Sequence, residues 1–277
     1  MRNLIRKLLT FIPDRLFIQY HYFRFFGEWL SFNKIRKFSQ ALNYYKYNHI
    51  NESYGVYVDK YKVRQYVSSM IGDNILPQLY GVYFSSDKFS LKELPNSFAL
   101  KLNNGSGCNL IIKDKYVLDE AELKGKLNDW LKEKYYIKGR ENQYKDVTNC
   151  IICEELLNGI DGDLPDYKLY CFNGKVEFIQ VITNHEEHNY YDVNWNSYGI
   201  RRKEYIVGVE REKPDDLDLM ISYAETLSNK FIFCRVDFYI TTRGIIFGEI
   251  TFTPGGGMIR FYPESKDNYL AGLMHGK

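Results

Sequence analysis

The sequence predicts an α+β protein, because amphipathic helices stand between segments whose alternation marks antiparallel strands. The clearest hairpin is residues 231–251. Apolar alternation runs through 231–240 and 245–251 and breaks at Thr241-Thr242-Arg243-Gly244. A second strand–loop–strand unit comprises 98–102, the loop Asn103-Asn104-Gly105-Ser106-Gly107, and 108–112. A third hairpin turns at Asn173-Gly174, with 176–183 as its returning strand. Helices are expected at 59–71, 119–134 and 215–229. The inward faces are Val63, Tyr66, Val67 and Met70; Leu123, Leu127, Trp130 and Leu131; and Leu217, Met220, Ile221, Ala224 and Leu227.

Taken in order, residues 1–30 read as amphipathic helices interrupted near Pro13, with Leu4, Ile5, Leu8 and Leu9 on one face beside Arg2, Arg6 and Lys7. An aromatic run follows at 20–26. Residues 1–40 carry eight Lys/Arg against Asp14 and Glu28, a local charge of +6 in a chain of net +2. Such a start either lies on an anionic membrane or packs on the protein's own body. Asp59 is placed to cap the helix that Gly72 ends, and 74–84 is an extended segment joining a sheet. Residues 150–153 read as a buried strand, and 158–163 as a turn-rich loop. Residues 184–205 are polar, aromatic and irregular, which suits a cover over a substrate.

At 277 residues the chain can bury a large core in one complex domain or several lobes. Net charge +2 makes no case for nucleic acid. Five scattered cysteines argue for a reducing, cytoplasmic setting. Cys150 and Cys153 have the spacing of half a zinc site, but no second pair completes it. His185-Glu186-Glu187-His188 lacks a helical histidine pair and reads as a solvated loop. No stretch approaches the ~20 apolar residues of a membrane span, and no signal peptide is expected.

The chemistry concentrates in the 231–258 hairpin. Arg235 and Asp237 share one strand face, as do Glu249 and Thr251 on the returning strand. Two carboxylates and a hydroxyl are hard ligands suited to Mg²⁺, and an arginine beside them suits a phosphoryl oxygen. The same spacing also fits a surface hairpin with a cross-strand ion pair. The loop 103–107, with two glycines, can bring backbone N–H groups to a phosphate, although it is not a Walker A motif. Arg201-Arg202-Lys203 either receives an acidic sugar or is a solvated charge cluster.

The order Arg235-Val236-Asp237-Phe238, a turn, then Gly248-Glu249-Ile250-Thr251-Phe252-Thr253-Pro254-Gly255 resembles the metal-binding hairpin of the ATP-grasp superfamily. With Asp59–Arg64, Ala99-Leu100-Lys101 and its glycine loop, and 166–174, the chain more narrowly resembles the TupA-like ATP-grasp family. That family is associated with bacterial surface-polysaccharide and teichuronopeptide synthesis. The resemblance implies two α+β lobes sandwiching a nucleotide after an N-terminal helical region. The expected divisions are a basic helical region 1–52, a preamble helix and strand 53–96, a small lobe 97–153 and a large lobe 154–277.

It also implies ATP and Mg²⁺ as cofactors. ATP would meet Lys60, Lys101, Asn104, Gly105, Ser106, Gly107, the hinge Glu154-Glu155-Leu156-Leu157, Asp166 at the ribose, and Lys168. Lys60 is equally an ordinary first-turn lysine. Asp237, Glu249 and Thr251 would hold metal, Thr251 standing where many superfamily members have Asn. Arg235 and Lys168 would act on the transferring phosphoryl group. Gly255, Gly256 and Gly257, with Arg201 and Arg202, would receive the acceptor. The implied activity is an ADP-producing carboxylate–amine ligase joining an amino acid or amine to a uronic acid through an acyl phosphate. A sugar phosphotransferase, or a nucleotide-binding assembly protein without turnover, stays open.

Overall fold

The computed structural model describes residues 11–160, 162, 164–183 and 186–275. Its principal helices are α1 (Asp14–Phe26), α2 (Phe38–Asn48), α3 (Val63–Met70), α4 (Glu120–Leu131), α5 (Leu217–Ser228) and α6 (Glu264–His275). Two wholly antiparallel sheets organise the rest, each over its own apolar core. Four strands, β1 (Leu79–Tyr83), β2 (Phe98–Leu102), β3 (Asn109–Ile112) and β4 (Ile151–Glu154), form a sheet in the order β1-β4-β2-β3. Leu123, Leu127 and Trp130 of α4 cover it, packing with Phe98, Leu100, Ile151 and Cys153. The helix is capped by Asp119, whose carboxylate accepts the N–H groups of Ala121 and Glu122. Such a cap contributes about 1 kcal/mol.

The larger sheet contains β5 (Asp166–Phe172), β6 (Lys175–Ile182), β7 (His188–Tyr191), β8 (Phe233–Thr241) and β9 (Gly244–Thr251), in the order β7-β6-β5-β8-β9. Leu169, Cys171, Val236 and Phe238 share one face, which α5 covers, while on the opposite face Phe38 of α2 packs against Phe172 and Phe233 and Phe178 stacks on Tyr170. Of the predicted inward residues of α5, Leu217, Met220, Ala224 and Leu227 are buried, and Ile221 packs half-buried against the core.

Several elements depart from the sequence reading. The helix expected from Asp59 begins at Val63. A one-turn helix, Gly55–Val58, stops at Asp59, whose carboxylate caps the intervening turn through Tyr61 and Lys62 N–H. Val63 and Val67 are buried, but Met70 is exposed. Residues 184–205 contain β7, so His188 is a buried strand residue hydrogen-bonded to Gln180 rather than part of a solvated loop. The aromatic pair Tyr190-Tyr191 is also buried there, a composition that masks alternation. Cys150 and Cys153 are buried, and all five cysteines are free thiols.

At the N-terminus, α1 buries Phe17, Ile18 and Tyr22 on the body yet leaves Phe11, Leu16, Tyr20, Phe25 and Trp29 more than half exposed. The helix expected around Leu4–Leu9 lies outside the described residues. Among the described residues, no helix is long and apolar enough to cross a membrane.

Candidate active site

Three neighbouring strands of the larger sheet build the site. Register sets Lys168 of β5 opposite Asp237 of β8, and Asp237 opposite Glu249 of β9. Arg235 stands between Tyr170 and Thr251. The two-residue period of a strand then puts all of these on the face away from the Val236–Phe238 core. One irregularity makes this work. The register shifts between Asp237 and Phe238, leaving Gly248 as the extra residue. A Cβ at Gly248 would lie 3.1 Å from the Asp237 carbonyl. Past this bulge Phe247 and Ile245 pair with Phe238 and Ile240 on the core side, while Glu249 and Thr251 stay on the site side.

The charges interlock. Arg235 forks onto Asp237, Nε to Oδ1 and Nη2 to Oδ2, both at 2.6 Å. Its Nη2 also reaches Glu249 at 3.0 Å and the Thr251 hydroxyl at 3.2 Å. Thr251 donates to Glu249 at 2.8 Å. Lys168 bonds Asp237 Oδ2 at 2.7 Å and also Asp166. Lys60 stands 3.9 Å from Glu249 and donates to the Gly105 carbonyl at 2.7 Å, tying the hairpin to the loop of the other lobe. Asp166, Asp237 and Glu249 are thus balanced by Lys60, Lys168 and Arg235.

Burial and neighbouring charge act on these groups in opposite directions. Burial alone would raise the Glu249 carboxyl, but Lys60, Arg235 and Lys168 outweigh it and hold the group at about 2. Burial would lower Lys168 and Arg235, and Asp237 foremost reverses it for both. Lys60 is lowered, because burial there exceeds the attraction of Glu249. Asp166 is raised, again by burial first.

Across the cleft, Lys101 donates to Glu154 at 3.0 Å and Arg64 pairs with the same carboxylate at 3.1 Å. These three line a narrow cavity with Lys60, Phe247 and Gly248, where the two sheets face each other. A wider cavity of about 390 Å³ opens along the site face, lined by Asp166, Lys168, His188, Tyr205 and Tyr239. Asp166 Oδ1 is buried there with no donor, which fits a ligand hydroxyl. The donor set of Asp237, Glu249 and Thr251 is all hard oxygen, which fits Mg²⁺. Among the described residues no three His, Cys, Asp or Glu side chains form a metal cluster, so a metal here would draw the rest of its shell from ligand oxygens or water.

The remaining sequence candidates are dispersed around this centre. The loop Asn104–Gly107 joins β2 to β3. Gly105, at φ +66°, lies under the Tyr135 ring, which a Cβ would approach to 2.2 Å, so only glycine fits. Glu154 ends β4, while Glu155 turns to Arg243 and to the Gln78 N–H. Leu156 and Leu157 follow, half-buried. Gly255, Gly256 and Gly257 form a tight turn after β9, all at positive φ. Arg201 is exposed and bridges to Tyr262 through its backbone, whereas Arg202 lies over the Tyr205 ring.

Sequence reasoning missed Arg64, although it closes the Asp59–Arg64 stretch. It also missed the buried support of the glycine turn. Lys46 donates to Gly256 O at 2.9 Å and Asn43 to Gly257 O at 2.9 Å. Burial pushes the Lys46 amine down to about 8. Both residues lie over two hundred positions from the turn, so no local pattern links them.

A five-stranded sheet carrying an Arg-x-Asp and Glu-x-Thr pair, facing a four-stranded sheet that contributes a lysine and a glycine loop, is the ATP-grasp architecture. D-alanine–D-alanine ligase from Bacillus anthracis superposes with TM-score 0.51 at 17% identity, over 80% of this chain and 67% of the ligase. Its ATP complex gives 0.45 at 16% identity, over 80% and 63%. L-amino acid ligase from Bacillus licheniformis gives 0.45 at 12%, over 79% and 49%. The chain therefore spans about half to two thirds of these enzymes. No curated protein matches it. The model of the TupA-like ATP-grasp family matches residues 40–275, and the chain belongs to that family.

Proposed function

We propose that the protein is an ATP- and Mg²⁺-dependent carboxylate–amine ligase. The observation that carries this reading is the row Lys168–Asp237–Glu249 across three adjacent strands, with Arg235 forked beneath it and Lys60 and Lys101 reaching in from the other lobe. A carboxylate is a poor electrophile at neutral pH. Attack of its oxygen on the terminal phosphorus of ATP breaks the bond to ADP and gives an acyl phosphate. The amine then forms the C–N bond, phosphate leaves with the acyl oxygen, and the ammonium proton passes to solvent.

Asp237, Glu249 and Thr251 would hold Mg²⁺, which supplies charge neutralisation at the phosphates when bound. Arg235 and Lys168 stabilise negative charge developing on the transferring group. Lys60 and Lys101 hold phosphates, the 103–107 loop covers them, Glu154–Leu157 hold the base and Asp166 accepts from the ribose. Gly255–Gly257 and Arg202 would receive the reacting end of the acceptor. By family, the acceptor is a uronic acid or similar sugar carboxylate of a bacterial surface polysaccharide or capsule precursor, free or lipid-linked, and the donor an amino acid or amine.

The protein works in the cytoplasm, peripheral to the membrane. The exposed Phe11, Leu16, Tyr20, Phe25 and Trp29 of the α1 region, within the segment of charge +6, support that placement. The test is mass spectrometry of products from purified protein, ATP, Mg²⁺ and pooled uronic and amino acids. An amide with ADP and phosphate is expected. A phosphorylated sugar formed without amine would make it a phosphotransferase, and AMP would overturn the acyl-phosphate route.

A further inference from the structure

A second large cleft, of about 930 Å³, lies between α1 and residues 131–149, outside the nucleotide-facing site. This is within the ~300–1,000 Å³ of ordinary ligand sites. Asn104 forms part of its lining, and the next residue, Gly105, takes Lys60 on its carbonyl, with Lys60 3.9 Å from Glu249. The 103–107 loop therefore connects this cleft to the hairpin. The edge-to-face pair Tyr135–Tyr144, ring centroids 4.8 Å apart, stands at the junction. The Tyr135 ring covers Gly105, the residue whose carbonyl takes Lys60 beside Glu249.

The lining chemistry selects a class of ligand. Asn104 is 3% exposed, donates to Asn149, and leaves its Oδ1 buried without a donor. A buried acceptor of that kind is destabilising until a donor arrives, and a ligand hydroxyl or amine supplies one. Phe84, 61% exposed, offers an aromatic surface suited to the C–H face of a sugar, whereas Arg140 and Lys145 already meet the Tyr136 ring. Four basic residues against two acidic ones line the cleft. Glu133 is drawn into a pair with Lys138, and Asp14 into contacts with Tyr136 and Arg140, which leaves Lys134 exposed at the rim.

We propose that this cleft binds the acceptor as a polyhydroxylated anion, an acidic saccharide, whose reacting carboxylate passes Tyr135 toward Glu249. The proposal rests on the ligase reading for what reacts, but the binding surface is tested without turnover. Trigalacturonate is the probe and maltotriose its uncharged control, titrated into the full chain by calorimetry beside an ATP·Mg²⁺ thermal shift. The variant is Phe84→Ala/Lys134→Glu, which touches neither the nucleotide nor the metal residues. Trigalacturonate should bind the unaltered protein at least tenfold more tightly than the variant, maltotriose should bind more weakly, and the ATP shift should be equal in both. No trigalacturonate binding at about 10 mM, equal affinity in the variant, or equal binding of maltotriose overturns the proposal. Saccharide binding lost in the variant but no ATP shift in the unaltered protein would keep the cleft and sink the ligase reading instead.

Discussion

Asp237→Asn and Glu249→Gln make the same chemical change at neighbouring positions, and the structure separates their costs. Asp237 accepts both arms of Arg235 at 2.6 Å and Lys168 at 2.7 Å. Its side chain is 3% exposed, and those of Arg235 and Lys168 are 12% each. An amide keeps the shape but removes the charge and turns an N–H₂ toward a cation. Three acids against three bases become two against three, with the excess cations out of water. Breaking one side of a buried pair costs about 3–5 kcal/mol. Glu249 meets Arg235 at 3.0 Å, yet its side chain is 36% exposed, so solvent screens the loss to about 1 kcal/mol or less. Urea denaturation at pH 7 should show that ordering with unchanged m-values. Both variants should lose the Mg²⁺-dependent part of the ATP thermal shift and, with an acceptor in hand, at least ~100-fold in turnover. Equal destabilisation by the two, or an Asp237→Asn protein within 1 kcal/mol of the parent, would refute the charge-balance argument.

Lys101→Ala should weaken ATP·Mg²⁺ binding, reducing a stabilisation of about 2.7 kcal/mol expected at ~100 times the dissociation constant; an unchanged thermal shift would remove Lys101 from the nucleotide site. Glu249 has a folded pKa of about 2 against an ordinary 4.5, so its contribution to stability is complete above the ordinary value and is lost as pH falls from there toward 2. Glu249→Gln should therefore flatten the acid limb of the stability profile in that window, and an unchanged limb would count against the Lys60–Arg235–Lys168 field. Vesicle co-sedimentation should favour anionic over neutral lipid and fall with salt, and Leu16→Asp/Tyr20→Asp should abolish it. Equal recovery on both lipids would exclude the α1 face as an anionic-membrane surface.

The hairpin, its Arg-x-Asp and Glu-x-Thr pairs and the glycine loop were legible because each is local. Strand alternation, turn residues and cap positions act over a few residues, and the order of these motifs carries the family. The helices α4 and α5 were likewise set by apolar spacing that only needed a surface to cover. The site itself was only half visible. Alternation in 245–251 does not by itself say which residues face the nucleotide. Gly248 as a bulge decides it, sending Phe247 to the core while Glu249 stays with Asp237.

The alternative left open by spacing, an isolated cross-strand ion pair, gives way to a three-strand network because β5 brings Lys168 alongside from some seventy residues away. Arg64 joins Lys101 at Glu154, and Lys46 and Asn43 hold the glycine turn, only after α2, the segment leading into α3 and the two sheets are packed. β7 was hidden because its buried partners, Gln180 and the core aromatics, come from another strand. The sequence determined the elements and the kinds of chemistry they carry, since propensity and periodicity are properties of short segments. Which charges meet, how deeply they are buried and therefore what each ionises to were decided by the tertiary structure, because Coulomb and desolvation energies depend on distance in space and not along the chain.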